Sequence, residues 1–487
     1  MVSPSDWKTL VARGEEQRTL RDALASGQPE LVAVYGRRRV GKTFLIRSVY
    51  DDRCFELVGI HGADLPTQLR AFSLALSDAS RAPAPLASPR DWHEAFRQLQ
   101  DFLQPRLRRS KGKQLVFFDE APWLAARRSG FLPAFEHFWN AWAGQQPRLV
   151  VVLCGSAASW MLEHVVSERG GLHHRVTRRL RVEPFGLSAA EELLRHRGVG
   201  LERHQLVELF MALGGVPHYL AQVQRGESPA QAIDRLCFAR DGLLRDELPT
   251  LFGSLFEQAE RHEAVVRALA KRRRGLTRTE LLAAAKLDSG GAATKVLTEL
   301  EESGFIAQTP RLGRPVKDGL YWLADEFSLF SICWLEGQGV GRGAGTWLRK
   351  QGTPAWRAWS GLAFEALCLK HVSALKHALG IGGVDTVEAS WAAGPRGRRD
   401  GAQIDLVIDR ADRCTNLCEM KFSDAEFVID KAYARELRHK RDAFREETGS
   451  KKSLFLTLVT SHGVRDNEYA RELVAKSITL DALFPRG

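Results

Sequence analysis

The apolar pattern of this chain changes period along its length. Leu31-Val-Ala-Val-Tyr35 is a short apolar run that reads as a buried strand, and Phe44-Leu-Ile-Arg-Ser-Val-Tyr50 then reads as a helix. Cys54–Ile60, Leu115–Phe118 and Leu149–Cys154 are further strand-like runs, separated by helical patterns, between about Trp7 and Pro184. This alternation predicts an α/β fold with a parallel sheet. Ala82-Pro-Ala-Pro-Leu-Ala-Ser-Pro89 is a loop signal within it. From Ser188 to about Leu248 the pattern is helical, broken at Gly214-Gly215-Val216-Pro217, and predicts a small helical lid.

From about Glu257 to Asp325 the order is a helix, a second helix at Thr277-Arg-Thr-Glu-Leu-Leu, a Gly290-Gly291 break and a helix Ala292–Ser303. The runs Gly304-Phe-Ile-Ala-Gln and Gly319-Leu-Tyr-Trp-Leu follow. Helices leading into a β-hairpin predict a winged helix. Six glycines between Gly337 and Gly352 mark a domain boundary. Beyond Ala355 come a helix with Glu365 in its first half, strands at Val384–Ala389, Ala402–Ile408 and Asn416–Phe422, a helix at about Ile429–Arg445, and a strand Ser453–Thr460. The expected division is 1–186, 187–250, 251–336 and 353–487.

Composition narrows the class. At 487 residues the chain exceeds one ordinary core. An apolar content of 44% and a charged content of 26% belong to a soluble globular protein. No apolar run is long enough to span a bilayer, and Met1–Lys8 carries no signal-peptide core, so no membrane partner and a cytoplasmic location are expected. The seven cysteines are scattered singly and read as buried thiols; Cys414 and Cys418 lack the second pair a zinc site needs. A net charge of +11 favours a polyanionic partner, DNA among them. Oligomeric state is left open, a homo-oligomer included.

The strongest chemical signal is Gly36-Arg-Arg-Arg-Val-Gly41-Lys42-Thr43, a full phosphate-binding loop between a strand and a helix. Such a turn aims backbone N–H groups and a helix N-terminus at one point. Lys42 then reaches the β- and γ-phosphates of ATP, and Thr43 ligates Mg²⁺. Gln114-Leu-Val-Phe-Phe-Asp119-Glu120 is an apolar strand ending in two acids. Asp119 is expected in the Mg²⁺ shell and Glu120 as the base that polarises water. Ser156, closing Leu149-Val-Val-Val-Leu-Cys154-Gly-Ser156, reads as a sensor between γ-phosphate and water, or as an ordinary strand-end serine.

Asp119-Glu-Ala-Pro-Trp-Leu124, Cys154-Gly-Ser156 and Gly214-Gly-Val-Pro-His-Tyr-Leu220 resemble the archaeal-type ATPases of the STAND class, relatives of the AAA+ ATPases. The resemblance implies that Gly215 and Pro217 face the nucleotide base from the lid. It also makes Arg13-Gly-Glu-Glu16 a variant of the family's entry motif, with glycine and arginine inverted. Arg175, Arg178 and Arg179 are either a solvated basic face or the source of an arginine finger, Arg175 first by resemblance.

The C-terminal part holds a second constellation. Asp405 lies on one strand and Glu419-Met-Lys421 on the next, and period two puts Glu419 and Lys421 on one face. A hairpin between them sets the two acids side by side. With the element order, this resembles the PD-(D/E)xK signature of the restriction-endonuclease-like fold, Ile404 standing for the proline. The resemblance implies Mg²⁺ between Asp405 and Glu419, Lys421 beside its water, a further acid in Glu365, and auxiliary roles for Gln403 and Tyr433. Arg396, Arg398 and Arg399 either guide a phosphodiester backbone or form a solvated turn. In the winged helix, Lys271–Arg274, Arg311, Arg314 and Lys317 suit phosphates, whereas Glu299, Glu301 and Glu302 on the recognition helix argue against sequence reading.

The fold expected is therefore α/β: a P-loop NTPase with parallel sheet and helical lid, then a winged helix and a restriction-endonuclease-like α/β domain. The function expected is a Mg²⁺-dependent ATPase whose nucleotide state regulates a nuclease-like domain acting on DNA. The alternative is an ATP-gated switch or scaffold with a catalytically inactive nuclease-like domain that binds nucleic acid or a protein partner.

Overall fold

The structure, a computed structural model, describes residues 10–50, 53–126, 128–166, 172, 174–272, 275–336, 343–394 and 401–485. Arg273, Arg274, Arg396, Arg398 and Arg399 lie outside them. The chain divides into two compact units, Met1–Pro184 and Phe185–Gly487.

The first unit is built on strands β1 (Glu30–Tyr35), β2 (Arg53–Val58), β3 (Gln114–Asp119), β4 (Leu149–Gly155) and β5 (Arg178–Arg181). Their order is β2-β3-β4-β1-β5 and every pairing is parallel. β1 and β4 are buried throughout, as near-continuous apolar runs covered on both faces must be. One face carries an aromatic core in which Phe96 and Phe118 meet Phe131 and Phe135. The other packs Leu45 and Ile46 of the helix Lys42–Val49 against Val32, Val34 and Val152. β5, Arg-Arg-Leu-Arg, has no apolar run to betray it in the sequence. It forms because it is an edge strand with only Leu180 turned inward, while Arg178 pairs with Glu30 at 3.2 Å.

In the second unit, the helices Leu187–His196, Arg203–Leu213 and Glu247–Leu255 precede three helices, Ala259–Ala270, Arg278–Ala284 and Gly291–Glu302. An antiparallel hairpin follows, β6 (Ile306–Thr309) with β7 (Leu320–Leu323), and Leu276 bridges to Tyr321. Thr277 starts the helix Arg278–Ala284 with a capping box closed by Glu280. The acids of the helix Gly291–Glu302 do not form its outer face: Glu299 accepts from His262 at 2.8 Å and Glu301 is half-buried, while Thr294, Lys295 and Thr298 are exposed. With Leu297 and Leu300 buried, Glu299 and Glu301 are turned to the side of the helix.

A second sheet follows the helix Pro354–Lys370. Its strands are β8 (Thr386–Ala393), β9 (Ala402–Arg410), β10 (Cys414–Lys421), β11 (Ser453–Thr460) and β12 (Val474–Thr479), in the order β12-β11-β10-β9-β8. β8, β9 and β10 are antiparallel neighbours; β10, β11 and β12 are parallel. The helix Lys431–Thr448 covers the face that carries Val407 and Leu417, while Phe364 and Cys368 of Pro354–Lys370 share a core with Leu406, Cys418 and Met420. Because that helix starts at Pro354 behind a Thr353 cap, Glu365 falls in its second half, not its first. β12 and the short helix Glu468–Leu473 had no clear periodic signal.

A partly buried ion pair lies within this second unit: Lys370 donates to the buried Glu326 at 2.7 Å. Burial pushes the Glu326 carboxyl up and Lys370 pulls it back. Lys370→Met, which leaves that carboxylate buried without its counter-charge, is expected to destabilise the protein by about 3 kcal/mol. Urea unfolding measures this, and adding Glu326→Gln should recover most of the loss.

Candidate functional site

Inserting β4 between β1 and β3 brings three strand ends together. Gly36 follows β1 with φ 146° and Gly41 has φ 91°, conformations that L side chains rarely adopt. A Cβ on Gly36 would stand 2.1 Å from the Val182 carbonyl oxygen, so the loop's first glycine is also demanded by packing. Lys42 opens the following helix, and its buried ammonium donates to the carbonyls of Gly36 (2.7 Å) and Arg37 (2.9 Å) and to Ser156 Oγ (2.9 Å). Burial lowers its pKa, with Cys154, Glu120 and Asp119 opposing that shift.

Thr43 Oγ1 donates to Asp119 Oδ2 at 2.7 Å. Glu120 sits at φ 49°, an uncommon conformation for a residue with a side chain, so its carboxylate is aimed by a bent strand end. It accepts from the Ser156 N–H (3.1 Å) and from Ser156 Oγ (2.5 Å). The donor sense is therefore fixed: Lys42 to the Ser156 hydroxyl, and that hydroxyl to Glu120. Arg13 adds a contact that the sequence alone left undefined, donating to Glu16 (2.9 Å) and to the Val40 carbonyl inside the phosphate loop (3.2 Å). Arg178 is in β5 beside Glu30, and Arg175 and Arg179 are exposed.

Gly215 and Pro217 belong to the second unit. Gly215 accepts from the Phe185 N–H at 2.7 Å, and Pro217 begins the short helix Pro217–Leu220. A Cβ on Gly215 would lie 1.8 Å from the Phe185 carbonyl oxygen. Close backbone contact accounts for this glycine.

In the second sheet, Cys418 stands opposite Leu406 in the antiparallel β9–β10 register, which sets Glu419 opposite Asp405 on one face. Asp405 Oδ2 accepts from the Met420 N–H at 2.9 Å. Glu419 is 1% exposed and accepts from Lys440 (2.7 Å) and Tyr433 (3.3 Å), with Lys421 at 3.5 Å. Its other oxygen, Oε1, is buried without a hydrogen-bond partner. Burial first, then Asp405, pushes its pKa up to about 7 against the pull of Lys440 and Lys421. Lys440 was missed in the sequence. Its signal was its place two helical turns after Tyr433 on the face that carries Leu437.

Glu365, Gln403, Ile404 and Asp405 line a common cavity of about 520 Å³. Among the described residues, no three His, Cys, Asp or Glu gather as a metal site. The unpartnered Glu419 oxygen is nonetheless the kind of donor that a divalent cation satisfies. No described helix is long and apolar enough to cross a membrane.

Residues 10–223 match the family model of an ATPase domain found predominantly in Archaea. That stretch is an archaeal-type ATPase domain, of the class that binds and hydrolyses ATP. An uncharacterised protein of Methanocaldococcus jannaschii is 26% identical over 324 residues, 66% of this chain and 67% of that protein. Among solved structures, a Walker-type ATPase of Pyrococcus abyssi is similar, with 20% identity over 66% of this chain and 96% of that chain and a TM-score of 0.47. The ORC2 protein of Aeropyrum pernix is similar over 68% of this chain and 94% of that chain, with 14% identity and a TM-score of 0.42. A STAND protein with a tetratricopeptide repeat sensor from Pyrococcus horikoshii is similar over 78% of this chain and 50% of that chain, with 12% identity and a TM-score of 0.31.

The Gly215 contact has a direct test. Gly215→Ala forces the Phe185 backbone to move and is expected to cost more than about 2 kcal/mol, read as a fall in thermal midpoint.

Proposed function

We propose that the chain is a Mg²⁺-dependent ATPase whose nucleotide state regulates a nuclease-like domain acting on DNA. The observation that carries the ATPase half is the bond chain from Lys42 through Ser156 to Glu120, with Thr43 on Asp119 beside it. The phosphate loop and Lys42 bind the β- and γ-phosphates. Ser156 orients Glu120, which accepts a proton from the attacking water. A hydroxyl and a carboxylate 2.7 Å apart are hard oxygen donors that fit Mg²⁺, so Thr43 and Asp119 would hold it. When bound, that ion neutralises charge developing on the phosphates. Gly215 and Pro217 are kept as the base-side elements of a lid spanning 187–250.

The nuclease half rests on the nearness of Asp405 to Glu419, one residue beyond the last β9–β10 pair, and on the unpartnered Glu419 oxygen. We read 251–336 as a winged helix and 353–487 as a restriction-endonuclease-like domain, from their element order. Asp405 and Glu419 would hold a divalent cation, which supplies an activated water. Lys421 stabilises charge on a phosphate oxygen, and Glu365 adds a carboxylate from the adjacent helix.

A second reading, a switch or scaffold with an inactive nuclease-like domain, is favoured by one observation. The Lys440 ammonium, 2.7 Å from Glu419, supplies a positive charge of its own.

ATP turnover and nicking of plasmid DNA, measured together with and without Mg²⁺, test both halves. Lys42→Ala should lose ATP binding. Glu120→Gln should keep binding and lose roughly 10²- to 10⁴-fold in hydrolysis. Asp405→Ala should abolish nicking and leave hydrolysis intact. Nicking that survives Asp405→Ala, or wild-type turnover by Glu120→Gln, removes the corresponding half. ATP turnover with no nicking by the wild type favours the switch.

A further inference from the structure

We propose that the cavity bounded by the β6–β7 hairpin and strands β8 and β9 is a channel for an unpaired DNA strand, a reading that rests on the nuclease assignment above. Its volume of about 520 Å³ lies among small-ligand pockets, roughly 300–1,000 Å³, with room for a nucleotide residue rather than a turn of duplex.

The two walls are joined to each other. The chain leaving β6 runs alongside β8: the Ser390 N–H donates to the Pro310 carbonyl at 2.9 Å, and the Leu312 N–H to the Ser390 carbonyl at 3.1 Å. Leu312 also packs on the core that contains Trp391 and Phe444. The start of the hairpin's connecting loop therefore covers the edge of the second sheet. Admitting a double helix between these walls would break that pairing; a single strand needs no such opening.

The lining has the chemistry of a strand-binding groove. Lys271 and Arg272, exposed at the end of the helix Ala259–Ala270, and Arg311 on the opposite wall can contact successive phosphates. Trp322 presents a half-buried indole whose N–H is committed to Thr309 Oγ1 at 2.9 Å, which holds the ring in one plane. An indole with its edge already bonded offers its face, and a base can stack there without regard to sequence. The groove reaches Glu365 and Asp405, the acids assigned above to phosphodiester chemistry. Of the other acids in the lining, Glu280 is engaged by the Thr277 N–H (2.9 Å) and hydroxyl (2.7 Å). The same cavity thus joins cations and an indole to the carboxylates of Glu365 and Asp405, so a strand held there by its backbone lies beside the acids assigned above.

The test uses the full chain in EDTA, where binding is separated from cleavage. Fluorescein-labelled oligothymidylate is compared by anisotropy with the same strand annealed to its complement. The single strand should bind at least about tenfold more tightly. Trp322→Ala should weaken it by about tenfold or more, the loss of one stacked base, and Trp322→Phe should restore much of it. Arg272→Ala, at an exposed position that leaves the fold untouched, should also weaken it and flatten the salt dependence. Equal or tighter duplex binding, or Arg272→Ala and Trp322→Ala binding like the wild type, overturns the channel. The nuclease assignment fails separately: strand binding that responds to both variants, with no cleavage in Mg²⁺, keeps the channel and removes the chemistry. Cleavage of duplex without strand preference does the reverse.

Discussion

The ATPase unit depends on where β4 lies. Between β1 and β3, it sets Ser156 within reach of both Lys42 and Glu120. Thr43 already bonds to Asp119 without β4, but Lys42 and Glu120 are joined through Ser156 at its end. The serine hydroxyl accepts from a buried ammonium and donates to a carboxylate, so a cation costly to desolvate gains an acceptor while the acid gains an orientation. Lys42 is held by three oxygens, and its reach toward phosphate is set by the same loop whose first glycine is pressed against Val182. The phosphate loop is thus packed into the sheet, and that packing makes its geometry reproducible.

The second sheet solves a related problem differently. A carboxylate that is 1% exposed and opposite another acid is unfavourable unless compensated. Lys440 and Lys421 provide part of that compensation, and one oxygen is left without a donor. A group kept in so costly a place, with its neighbours arranged for only one of its oxygens, is what supports the site proposed above. Asp405 also lines the cavity that holds Lys271, Arg272, Arg311 and Trp322, which supports the proposed access to that site.

Much of this was legible in the residues, for definite reasons. Leu31–Tyr35 and Leu149–Cys154 declared themselves because a strand covered on both faces must be apolar throughout. Asp405 and Glu419 meet because a tight hairpin fixes an antiparallel register, and the period of two does the rest. What stayed hidden had no periodic signature. β5 is an edge strand made of arginines, and Lys440 reads as one more charge on a charged helix until the sheet beneath it is known. The close approach of the Phe185 backbone to Gly215 could not be read from the sequence either. The acids of Gly291–Glu302 could be counted in the sequence, but not the rotation that turns Glu299 to His262.

The central claim is that Ser156 joins Lys42, proposed to bind phosphate, to Glu120, proposed as the catalytic base. Steady-state ATP hydrolysis by Ser156→Ala, with nucleotide affinity measured alongside, tests it most directly. With the base no longer held by the hydroxyl, kcat should fall by about tenfold or more while ATP affinity changes little. A variant that hydrolyses ATP as fast as the wild type, or faster, would contradict the claim.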